Sequence, residues 1–252
     1  MATRALSARR GVLLAGLAAV TLAAWAVSVG RMRGMDAGPG TDLGAFGSFI
    51  GIWTSMMVAM MLPSALPTTL LVARLRDGVD ACWFVGGYVS AWIVYGVAAY
   101  GLSRAARSAA PSFVAWDARG PWIAGAALAA AGLYQLTPLK SACLRRCRSP
   151  LHFVLRAGRG PLGAVRAGAG HGLYCIGCCA GLMLALFALG VMSLVWMAVV
   201  ALAILVEKTL PGGPRVATAL AAALVVLGVW VAVRPAGVPL LTQPHSMEMM
   251  RR

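Results

Sequence analysis

The chain is punctuated by apolar stretches of about 20 residues, and that length constrains its fold more than any other feature. A helix rising about 1.5 Å per residue crosses a hydrocarbon core of roughly 30 Å in such a stretch and satisfies its own backbone hydrogen bonds on the way. Stretches of this kind fall at approximately 11–30, 46–72, 82–102, 122–139, 172–189, 191–206 and 216–233. The expectation is an all-α polytopic transmembrane helical bundle of six to seven spans, with seven favoured, forming a single integral-membrane domain. Because 60% of the residues are hydrophobic and 12% charged, an ordinary water-soluble domain is excluded.

The uncertain joint lies in the apolar run from Gly172 to Val206. One straight helix of that length would reach over about 50 Å, so two short spans meeting near Gly190 are preferred. The first stretch, Gly11 to Gly30, follows Arg4, Arg9 and Arg10 and is longer than the core of a signal peptide, so it reads as an uncleaved span.

A formal net charge of +15, with 22 Lys and Arg, would suggest nucleic acid in a soluble protein. Here the positive-inside rule is the better account. Residues 140–170 form the basic cytoplasmic loop on this reading, the N-terminus is cytoplasmic, and residues 234–252 form a C-terminal tail. No aromatic-basic platform accompanies the charge, and no nucleic-acid partner is expected.

Five of the six cysteines flank that basic loop. Cys143 and Cys147 lie in KSACLRRCR, and Cys175, Cys178 and Cys179 in HGLYCIGCC; Cys82 stands apart. On a helix Cys143 and Cys147 share a face, while His171, Cys175 and Cys178 form an i, i+4, i+7 stripe with Cys179 beside it. Thiolates and imidazole are the ligands that zinc, Cu(I) or an iron–sulfur cluster take, and a cytoplasmic setting favours reduced thiols over disulfides. Cys143, Cys147, His171, Cys175, Cys178 and Cys179 are therefore the candidate metal ligands. The alternatives are redox chemistry, acylation, or small buried side chains without reactivity.

WTSMMVAMMLPSALP, residues 53 to 67, places Met56, Met57, Met60 and Met61 on an arc of about 140° of one helix. Thioethers suit Cu(I), which makes these four a candidate second metal site, although methionine also fills gaps between helices. Pro63 and Pro67 are expected to kink or unwind the end of this helix. The C-terminal HSMEMMRR adds His245, Met247, Met249 and Met250 as a weaker capture segment. No span carries a central Asp, Glu, Lys or Arg, so ion-coupled transport of the usual kind lacks its parts. Nucleotide-binding and hydrolase motifs are missing too.

Three stretches carry a resemblance: WTSMMVAMMLPSALP, GLYQLTPLKSACLRRCRSP, and HGLYCIGCCAGLM continuing through GVMSLVWM to EKTLPGG. From Trp53 to Gly213 the chain resembles a bacterial family of uncharacterised, predicted metal-binding integral membrane proteins. The resemblance implies a multi-pass protein of the bacterial inner (plasma) membrane. It marks Met56, Met60, Met61, Pro63, Gln135, Pro138, Lys140, Cys143, Cys147, His171, Cys175, Cys178 and Cys179 as the characteristic positions. The sequence departs from the family at Ala180, where a Trp is usual, and at Ser193, where an Asn is usual.

The function expected is non-enzymatic binding of a soft transition metal, copper or zinc, in the handling, transfer or insertion of that metal. Its partners would be the lipid bilayer and a metal donor or acceptor protein. The rivals are a membrane thiol–disulfide oxidoreductase using Cys175 and Cys178, whose Cys-Xaa-Xaa-Cys spacing favours thiol exchange, and a structural subunit of a membrane complex.

Overall fold

The computed structural model describes residues 2–33, 43–109, 120–149, 151, 153, 158, 160–191, 193–210 and 213–234. Among these the chain is all-helical. The elements are α1 (Ala2–Met32), α2 (Phe46–Leu75), α3 (Gly78–Ala109), α4 (Gly120–Gln135), α5 (Pro138–Cys147), α6 (Gly160–Leu189), α7 (Leu194–Thr209) and α8 (Gly213–Val233). Five of them are long and apolar enough to cross a membrane, or six if α4 and α5, bent by 64° at their junction, are one broken span. The 16-residue α7 falls short of that length by itself.

Each helix packs where its sequence gives it a smooth or apolar face. α3 and α6 lie closest through glycines: a Cβ at Gly87 would overlap the backbone of Val165, and one at Gly168 the backbone of Phe84. The α4–α8 pair uses Gly125, Gly132 and Gly228 in the same way. Small residues at helix contacts are the usual means of bringing apolar helices together where lipid supplies no hydrophobic drive. Large apolar side chains remain on the outside, as with Val12 and Leu102, each 73% exposed. In water they would form a liability.

The core holds the aromatic and sulfur side chains. Trp53 is buried, donates from Nε1 to the Trp92 carbonyl at 2.9 Å, and stacks on Phe49 and Phe187 with centroids 5.7 and 5.8 Å apart. α2 stays helical through Pro63 and Pro67 rather than unwinding. Neighbouring hydroxyls bond back to the backbone there, Ser64 Oγ to Met61 O at 2.8 Å and Thr69 Oγ1 to Ala65 O at 3.1 Å.

Two junctions position the candidate site. At the first, Thr137 caps α5 by accepting from Lys140 N at 3.3 Å, with Pro138 at the first helical position. At the second, the chain leaves α6 at Gly190, whose φ of 111° favours glycine, and enters α7 after Ser193 N donates to Gly190 O at 3.0 Å.

The structure corrects the expected loop at 140–170. Its beginning belongs to α5, and α6 starts at Gly160, well before the predicted 172. Arginines and lysines in these turns interrupt the apolar pattern, so the sequence reads as loop there. A helix accommodates them at its ends without breaking. As a result Cys175 lies midway along α6 rather than at its edge.

Candidate metal centre

α6 presents Cys175, Cys178 and Cys179 to the interior, all at most 1% exposed, with their sulfurs within 4.8 Å of one another. The Cys178 and Cys179 sulfurs are 3.6 Å apart. α5 delivers Cys147 from its last turn, and its sulfur lies 3.7 Å from that of Cys178. Sulfurs bound to one ion at about 2.3 Å in tetrahedral geometry are separated by roughly 3.7 Å, so this spacing fits a shared soft metal.

The remaining candidates are placed differently. Cys143, half-buried on α5, packs on Gly177, where an added Cβ would lie 2.7 Å from its sulfur. His171 is buried one turn before Cys175, but its ring sits among Phe84, Tyr88 and Phe153 at centroid distances of 5.8, 5.6 and 5.0 Å. Its Nδ1 has no hydrogen-bond partner among the described residues. Met56, Met57, Met60 and Met61 are buried in the core cluster that contains the cysteines. Cys82 is exposed and apart. His245, Met247, Met249 and Met250 lie outside the described residues.

The sequence reading missed the polar groups that surround the thiols. Lys208 Nζ donates to Cys175 Sγ at 2.8 Å and to Ser64 Oγ at 3.3 Å. The Tyr88 hydroxyl shares a hydrogen bond of 3.0 Å with the same sulfur and reaches Met61 O at 3.4 Å. Next to Lys208, Glu207 turns the other way and pairs with Lys140, which also donates to Gln135 Oε1. Lys140 and Glu207 are at most 2% exposed.

Charge therefore enters the interior at Lys140 and Glu207, with Lys208 half-buried beside the thiols. All three sit at the ends of apolar runs, where sequence alone reads a boundary. What marks them as part of a site is contact with positions far along the chain. The nearest signal was EKTLPGG within the resemblance, which singled out the segment without assigning a partner.

The charge balance suits a thiolate-bound cation. Cu(I) held by two or more thiolates carries net negative charge, which is costly to bury and part of which the Lys208 ammonium offsets. Four converging sulfurs beside a half-buried ammonium define a class: an all-helical protein with an interior thiol cluster that could hold a soft metal. Residues 50–231 match the PpoB2 family, described as a copper chaperone, and the chain belongs to that family. No curated protein and no solved structure matches it. The metal-related family implied by the resemblance is thereby shown, and the family together with the cysteine cluster supports copper handling in a non-catalytic role.

Proposed function

We propose that the chain is an integral-membrane copper chaperone that holds Cu(I) on Cys147, Cys175, Cys178 and Cys179 and passes it to an acceptor protein. Cys143 and His171 flank this centre as auxiliary ligands, and Met56, Met57, Met60 and Met61 form a second, thioether site. The observation that carries the reading is the convergence of four sulfurs from α5 and α6 in a member of a copper-chaperone family.

The apolar helices support a multi-pass protein of the bacterial inner membrane. Counting α7 as a further crossing beside six apolar spans, with α4 and α5 as one broken span, gives seven, and the distribution of basic residues then favours a cytoplasmic N-terminus. Copper is favoured over zinc by the family and by the thioethers, which are poor zinc ligands. Thiol exchange is disfavoured because Cys175 and Cys178 are buried, whereas exchange with a protein substrate requires an accessible sulfur.

The test is metal content by mass spectrometry of protein purified under reducing, copper-buffered conditions. Stoichiometric copper in the wild type that is lost from a Cys175→Ser/Cys178→Ser/Cys179→Ser variant supports the reading. Stoichiometric zinc, or no metal in either protein, contradicts it.

A further inference from the structure

We propose that the thiol cluster and the methionine face are two ends of one sulfur-lined path for Cu(I) through the bundle, with Met183 as the link between them. This rests on the copper reading above and extends it from holding the ion to moving it.

α2 and α6 are bridged at two levels, at the first of them through side chains that α3 and α7 contribute. At one level Lys208 bridges Ser64 of α2 and Cys175 of α6, and Tyr88 bridges Met61 and the same cysteine. At the other, Trp53 of α2 stacks on Phe187 of α6. Residue numbers rise in opposite senses between these levels, so the helices are antiparallel. The interval is about eleven or twelve residues on each, or roughly 17 Å at about 1.5 Å per residue.

That register places Met60 and Met61 beside the cysteines, and Met56 and Met57 at the depth of Met183. Met183 follows Cys179 by one turn and so continues its face of α6. α7 adds Met197 near the Trp53 level, since it runs from there to Lys208. All six methionines are at most 2% exposed and belong to the same continuous core cluster as Cys175, Cys178 and Cys179. Soft donors therefore follow one another from the thiols toward the Gly190 end of the bundle.

Cu(I) moves along such a column by ligand exchange: a bond to one sulfur forms as a bond to the previous one breaks, and the ion remains Cu(I) throughout. Thioethers are neutral and need not gain or lose a proton. The ion carries its single positive charge onto the neutral thioethers, while Lys208 remains at the cluster to offset the thiolate left at Cys175. If the methionines only fill space, leucine replaces them silently.

The test uses the full chain in sealed liposomes containing a Cu(I)-chelating dye, with Cu(I) supplied outside under ascorbate. Met183→Leu and Met197→Leu conserve volume and remove the sulfur. The expected result is unchanged copper loading of the thiols, with dye signal arriving about tenfold more slowly or worse. Equal rates with intact thiol loading, or no signal inside wild-type liposomes whose protein loads copper, overturn the path and leave the chaperone reading in place. Failure of the wild-type thiols to load overturns both.

Discussion

Lys140, buried, and Lys208, half-buried, lie in the same part of the bundle, yet they are satisfied in different ways. Lys140 has a carboxylate and an amide carbonyl, Glu207 and Gln135, as partners. Among the described residues, Lys208 donates to a hydroxyl and a cysteine sulfur. The first is a closed ion pair that fastens the junction of α4 and α5 to α7. The second holds its positive charge against a thiol, an arrangement complete only when that sulfur is anionic. Adjacent residues of α7, Glu207 and Lys208, thus serve opposite ends: one anchors the helix that carries Cys147, the other faces the centre it contributes to.

The contrast is broken most strongly at the closed pair. Lys140→Met leaves the Glu207 carboxylate buried without its cation, and a loss of about 3–5 kcal/mol in unfolding free energy is expected. Denaturation in detergent checks this, and Lys140→Met/Glu207→Leu is expected to restore most of the loss because no uncompensated charge remains. Lys208→Met should do the reverse, leaving the fold largely intact and weakening Cu(I) binding by about 10–100-fold, as read by competition with a Cu(I) chelator. Tyr88→Phe removes one hydrogen bond to Cys175 at about 1 kcal/mol, and the same competition should show a weakening of roughly fivefold. Cys143→Ser, whose sulfur packs on Gly177 outside the thiol group, is expected to have the smallest effect on copper binding of any of the five clustered cysteines.

The same contrast shows what was readable in the sequence. Helical architecture follows from the length of the apolar stretches, a property of each segment by itself. The Cys175, Cys178 and Cys179 grouping follows from spacing on one helix. Cys147 and Cys178 meet because α5 folds back on α6, which the paired clusters hinted at and the bend after Gln135 accomplishes. Tyr88 and Lys208 reach Cys175 from α3 and α7, and nothing near them in sequence names a sulfur as their partner. Lys140 illustrates the opposite failure: a basic residue in a basic segment looked solvated, and it is among the most deeply buried side chains. His171 shows that register is not contact, since its helical phase with Cys175 is right while its ring lies in an aromatic cage.

X-ray absorption at the copper edge on the Cu(I)-loaded full chain tests the central claim most directly. The account predicts a first shell made only of sulfur, three or four atoms, that is lost when Cys175, Cys178 and Cys179 are replaced by serine. A shell dominated by nitrogen or oxygen, or a spectrum unchanged in that variant, would contradict it.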